Sequence, residues 1–202
     1  MNNHRNTRRL PQLLAAVTLL GGSAALAASC PAWLDHDFRK LRSPATVNIC
    51  KNYAGHPLLI VNTASHCGYT PQFKALEAVH EKYQDRGLVV IGFPSDDFNQ
   101  EAKDEAETAE ICFVNYGVKF TMLSPLAVKG DAANPVFKEL AQQTQAPDWN
   151  FNKYLVSSDG KVQQHYDSKV TPDSPEFAAA VDRLLATAAI PAAPAVSDKP
   201  AK

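Results

Sequence analysis

Two short apolar runs, Leu58-Leu-Ile-Val61 and Leu88-Val-Val-Ile-Gly-Phe93, constrain the fold more than any other feature of this chain. They are too short and too β-branched for helices, and they lack polar alternation, so they read as strands buried on both faces, as in parallel sheets. Between them, Pro71–Gln84 places Phe73, Leu76, Val79 and Tyr83 at helical spacing and stops ahead of Gly87. Further on, Glu101–Phe113 and Pro135–Gln143 read as helices and Lys119–Leu123 as a short strand. Tyr154–Ser157 and Lys161–Tyr166 flank an Asp159-Gly160 turn, the signature of a β-hairpin. Pro175–Thr187, with Phe177, Val181, Leu184 and Leu185 on one face, reads as the closing helix. This order predicts an α/β domain with a central mixed β-sheet flanked by helices. Residues 31–56 carry turn formers and little periodicity, and read as an irregular lead-in.

At 202 residues, 45% hydrophobic and 20% charged, the chain can bury a substantial core. A formal charge of −1 gives no reason to expect nucleic acid or an anionic membrane surface as a partner. Charge is nevertheless unevenly placed. Arg5, Arg8 and Arg9 precede Leu10–Ala28, an uncharged stretch rich in Leu and Ala that ends in Ala25-Leu26-Ala27. That is the pattern of a secretory signal peptide over residues 1–27, and it predicts a periplasmic or secreted protein without stable membrane insertion. Pro11, Gln12 and a Gly pair weaken the stretch as a bilayer span. Residues 28–187 then form the domain, and the Ala/Pro-rich residues 188–202 read as a disordered tail.

The chemistry-bearing position is Cys67, between the end of the first buried strand and the start of the following helix. Thr70 is a candidate helix cap and Pro71 suits the first helical position. A thiol just ahead of a helix N-terminus lies in a field that favours thiolate, the nucleophilic form. The other cysteines are Cys30, Cys50 and Cys112, and no pair forms a CxxC motif. The histidines keep no ligand-like spacing with them, so neither a metal nor a cofactor is implied. Export makes a structural Cys30–Cys50 bridge and a functional Cys67/Cys112 pair the natural division, although four cysteines allow three connectivities.

Four segments resemble the signature segments of the glutathione peroxidase family, in the family's order, within residues 31–187. They are Val61-Asn-Thr-Ala-Ser-His-Cys-Gly-Tyr-Thr-Pro-Gln72, Gly92-Phe-Pro94, Asn115-Tyr-Gly-Val118 and Trp149-Asn-Phe151. The resemblance implies a thioredoxin-like fold and reduction of hydrogen peroxide and organic hydroperoxides by a cysteine thiolate. Cys67 would be the attacking residue, oxidised to a sulfenic acid. Trp149 and Asn150 match the family's donors beside the sulfur. Cys112 matches the resolving cysteine of thioredoxin-dependent members, whose attack would give a disulfide reopened by a thioredoxin-like protein or glutathione. Only Ala141–Asp148 separate Leu140 from Trp149, which resembles the monomeric branch of the family. Lys129 and Lys153, the nearest basic residues, read as solvated surface lysines rather than a grip for glutathione.

One departure bears on the chemistry. The family's third donor is a glutamine in Phe-Pro-Cys-Asn-Gln-Phe; here the segment is Phe93-Pro-Ser-Asp-Asp-Phe98, which puts Asp97 at that position. An ionised carboxylate beside the sulfur would oppose the thiolate. Three arrangements avoid this: a protonated Asp97 acting as donor, an Asp97 turned to solvent, or Gln100 taking the place after a loop shift. The alternative function is a redox sensor or degenerate peroxidase with little turnover. A second rival, a thiol–disulfide oxidoreductase, is disfavoured because Cys67-Gly-Tyr-Thr70 lacks a second cysteine.

Overall fold

The computed structural model describes residues 30–188. The expected signal peptide and nearly all of the expected tail lie outside the described residues. Among the described residues, no helix is long and apolar enough to cross a membrane.

The lead-in is more regular than its sequence suggests. β1 (Asp37–Arg39) and β2 (Thr46–Asn48) form a small antiparallel ribbon, followed by the short helix α1 (Ile49–Tyr53). Each strand has three residues, too few for periodicity to register, and Phe38 and Val47 point inward from facing positions. Asn48 ends the ribbon and caps α1 by accepting the Lys51 N–H at 2.9 Å. A disulfide joins Cys30 to Cys50, with Cα atoms 5.6 Å apart, and ties the start of the domain to α1.

β3 (Leu58–Thr63), α2 (Gln72–Tyr83) and β4 (Val89–Pro94) follow as the apolar runs dictate. Next come α3 (Glu105–Ala109), a wider π turn over Glu110–Asn115, β5 (Thr121–Met122) and α4 (Pro135–Gln143). β6 (Lys153–Val156), β7 (Val162–Tyr166) and α5 (Pro175–Thr187) complete the domain. The five-stranded sheet runs β5-β4-β3-β6-β7; β3, β4 and β5 are parallel neighbours, whereas β6 and β7 are antiparallel to theirs. The expected mixed sheet is therefore present.

Alternation along β3 builds both halves of the core. Leu59 and Val61 face one layer with Phe73, Leu76 and Val79 of α2 and Phe177, Val181 and Leu184 of α5. Leu58 and Ile60 face the other, with Phe38, Ile49, Phe93 and, from α4, Val136, Phe137 and Leu140. Every residue of β3 is buried, which explains its unbroken apolar run. Its C-terminal end delivers the chain to Cys67.

Candidate active site

Cys67 opens a series of tight turns that lead into α2. Its carbonyl accepts the Thr70 N–H at 3.0 Å, and the Gln72, Phe73 and Lys74 N–H groups bond back three residues in the same way. The sulfur, in a residue only 6% exposed, accepts the Tyr69 N–H at 3.4 Å. Thr70 does not cap the helix as expected. Its hydroxyl accepts the Cys67 N–H at 3.0 Å and donates to the Ala64 carbonyl at 2.9 Å, so it braces the cysteine loop instead. Pro71 occupies the capping position, one residue ahead of the helix.

The Trp149-Asn150-Phe151 segment is held against β3 by Asn62, a residue that no local pattern singles out. Its side chain donates to the Trp149 carbonyl at 2.9 Å and accepts the Asn152 N–H at 3.0 Å, while its carbonyl accepts the Phe151 N–H at 2.7 Å. Phe151 adopts a left-handed backbone, φ 63°, unusual for a bulky residue and held here by the Asn62 bonds on either side of it together with complete burial against Phe73. The turn sends neighbouring side chains apart. Trp149 is 40% exposed and packs on Phe98 at 5.3 Å, whereas Asn150 is fully buried. Asn150 Nδ2 donates to Gln100 Oε1 at 3.0 Å, and the Gln100 carbonyl accepts the His66 N–H at 2.8 Å. Gln100 thus links Asn150 to the residue preceding Cys67. Asp97 faces elsewhere: its Oδ2 accepts the Val128 and Lys129 N–H groups at 2.5 and 3.0 Å.

Cys112 lies in the π turn, not in a regular helix as expected, and π turns mark places where a helix gives up its register. Asp104 caps α3 through the Ala106 and Glu107 N–H groups, and the register then widens from Glu110. The Cys112 thiol is buried, lies 3.8 Å from the Ala109 carbonyl and is pushed up to about 12 by burial. Cys67 and Cys112 are both free thiols. An open depression of about 570 Å³ lies over Cys67, walled by Gly68, Pro71 and Lys74 on one side and Ile111, Asn115 and Tyr116 of the π-turn segment on the other. Cys112 itself does not line it.

Two side-chain bridges join the cysteine loop to α3. At the surface, His66 Nε2 lies 3.1 Å from Glu107 Oε1. In the interior, Glu101 Oε1 accepts the Ser65 hydroxyl, the Thr108 hydroxyl at 2.9 Å and the Ala102 N–H at 2.7 Å. Burial raises the Glu101 carboxyl above its usual range, and these hydrogen bonds partly oppose the shift.

Lys153 corrects the sequence reading. It is wholly buried, with Nζ 3.0 Å from Gln72 Oε1 and 3.4 Å from the Ser168 carbonyl. Burial lowers it to about 7. Lys129 is exposed as expected, with Nζ 4.2 Å from the centre of the Phe98 ring. Among the described residues, no group of three or more His, Cys, Asp or Glu side chains could hold a metal ion.

A parallel strand delivering a buried thiol to the head of a helix, on a mixed sheet flanked by helices, defines an α/β thiol oxidoreductase. The family model for glutathione peroxidase matches residues 36–141. The glutathione peroxidase of Lactococcus lactis is 37% identical over 147 residues, covering 70% of this chain and 94% of that protein. The glutathione peroxidase-like peroxiredoxin gpx1 of Schizosaccharomyces pombe is 44% identical over 128 residues, 60% of this chain and 81% of that one. The crystal structure of Trgpx in apo form superimposes with a TM-score of 0.62 at 26% identity, covering 80% of this chain and all of that one. The chain belongs to the glutathione peroxidase family, has a thioredoxin-like fold and is a thiol peroxidase.

Proposed function

We propose that the Cys67 thiolate attacks one oxygen of hydrogen peroxide or an organic hydroperoxide, and that Cys112 resolves the product. In the first step the O–O bond breaks, Cys67 becomes a sulfenic acid, and the departing oxygen takes a proton to leave as water or an alcohol. Asn150, placed by Gln100, and the indole N–H of Trp149 serve as donors beside the sulfur. Gln100 takes the part of the family's glutamine, and Asp97 anchors the 128–129 backbone. The engagement of Asp97 by two backbone N–H groups favours turnover over the sensor reading.

In the second step Cys112 attacks the Cys67 sulfur, water leaves and an intramolecular disulfide forms. The observation that carries this reading is the shared depression, with Cys67 in its lining and the π-turn segment bearing Cys112 along one wall. Opening of the π turn brings Cys112 out of the core. A thioredoxin-like protein then reduces the disulfide. It is preferred over glutathione because the two nearest lysines form no carboxylate grip, one being buried and the other packed on Phe98. The protein works as a monomer, in keeping with the short Ala141–Asp148 connection. Residues 1–27 direct it to the periplasm or outside the cell, where the Cys30–Cys50 bridge would persist.

The test is disulfide mapping by mass spectrometry, before and after one equivalent of hydrogen peroxide or an alkyl hydroperoxide. A new Cys67–Cys112 bond with Cys30–Cys50 intact is the expected result. A Cys67 that remains a free thiol would overturn the reading in favour of a structural or sensory role.

A further inference from the structure

One buried acid joins the two segments that carry the reacting sulfurs. Glu101 is 9% exposed, and its Oε1 gathers three donors: Ser65, two residues before Cys67; Thr108, four residues before Cys112; and the Ala102 N–H. Thr108 and Cys112 lie on one helical face and are both buried. Glu101 Oε2 is also buried, yet it has no hydrogen-bond partner. An acceptor serving structure alone is normally satisfied at both oxygens, because a buried oxygen without a partner is destabilising. The orphaned oxygen therefore suits a group that takes and returns a proton.

The proposed reaction needs such a group. In the closed structure burial holds the Cys112 thiol at about 12, so Cys112 enters the resolving step protonated and must give up that proton to attack. The sulfenic hydroxyl, in turn, needs a proton to leave as water.

We propose that Glu101 is the proton carrier of the resolving step, taking the Cys112 proton and handing it to the hydroxyl that leaves Cys67. The assignment rests on the Cys67–Cys112 reading above. As the S–H proton passes to the Glu101 carboxylate, the Cys112 electron pair forms the S–S bond and the S–O bond of the sulfenic acid breaks. The departing hydroxide takes the proton from Glu101 as water. Cys112 sulfur is oxidised, Cys67 sulfur is reduced, and Glu101 ends ionised as it began.

The ionisable groups around Glu101 are His66 on the cysteine loop, itself paired with Glu107, Asp96, which accepts the Glu101 N–H at 3.1 Å, and Cys112. Resolution requires the ionised acid. Its rate should therefore fall as pH drops through a value above the usual carboxylate range, the direction in which burial moves Glu101.

The experiment mixes reduced protein with one equivalent of hydrogen peroxide across a pH series. It follows sulfenic acid with a dione trap and disulfide by mass spectrometry, in wild type, Cys112→Ser, Glu101→Gln and Glu101→Asp. The expected result for Glu101→Gln is at least a tenfold fall in the ratio of the resolution rate to the sulfenic-acid formation rate, with loss of the acid limb. Glu101→Asp should retain an acid limb at a reduced rate. A wild-type ratio and pH profile in Glu101→Gln, equal losses in both steps, or no acid limb in a folded Glu101→Asp would overturn the carrier. No disulfide in wild type, with sulfenic acid decaying as in Cys112→Ser, would overturn the resolving pair and the carrier with it. A wild-type disulfide unaffected by Glu101→Gln would overturn the carrier alone.

Discussion

Asn150 Nδ2 donates to Gln100 Oε1 across 3.0 Å, joining two residues 50 apart in the chain. The same glutamine accepts the His66 N–H through its carbonyl, so the amide bond sets where Asn150 stands relative to Cys67. Gln100→Leu should lower the rate of Cys67 oxidation by about tenfold or more, the scale of losing a placed donor. Stopped-flow measurement of sulfenic acid formation checks it, and an unchanged rate would remove Gln100 from the reaction.

Asp97 makes the opposite prediction. Its carboxylate accepts two backbone N–H groups at 128–129, so Asp97→Ala should cost about 1–2 kcal/mol of stability in denaturant titration. Asp97→Gln should leave the pH dependence of Cys67 oxidation unaltered. A displaced profile would show that the carboxylate acts on the sulfur.

Asn62→Ala removes the clasp on the 149–152 turn and leaves the buried Asn152 N–H without its acceptor. The expected loss is about 2–3 kcal/mol, together with slower peroxide reduction, because Phe151 would no longer be held in its left-handed conformation. A variant as stable and as active as wild type would show that packing of Phe151 alone maintains the turn.

The Cys30–Cys50 bridge spans 20 residues, for which chain entropy gives roughly 3 kcal/mol of stabilisation. Replacing both cysteines with alanine should lower the melting temperature by roughly 6–12 °C. Cys67 oxidation should continue in the folded protein, since the bridge lies in the opposite core layer from Cys67. Loss of peroxide reduction at a temperature where the variant remains folded would contradict this.

Lys153 carries a pH signature. Its value in the folded protein, about 7, lies below the ordinary lysine value of 10.5. Between these, the unfolded chain holds a proton that the folded protein does not, so stability from this group rises with pH across the window and levels off below about 7. Lys153→Met should flatten the rise in melting temperature between pH 7 and pH 10. An equally steep rise in the variant would mean that the ammonium finds compensation in the fold.

Local patterns determined much of this protein. Unbroken apolar runs define β3 and β4, helical spacing before Gly87 defines α2, and Asp159-Gly160 defines the hairpin, because each signal lies within a dozen residues. The same locality placed Cys67 at the strand–helix junction, and the arrangement of the four segments pointed to the family. Tertiary structure decided the rest. Whether Asp97 or Gln100 meets Asn150 depends on the path of the 95–100 loop against residues far away in the chain. Lys153 looks like a surface residue by charge, yet its place in β6 between Val61 and Tyr166 buries it among layers that no local pattern reveals. Glu101 is one of several acids in its stretch, and only the packing of α3 against the cysteine loop distinguishes it. Hydrogen bonds between distant side chains have no period in the sequence; they exist only once the two core layers have closed on the sheet.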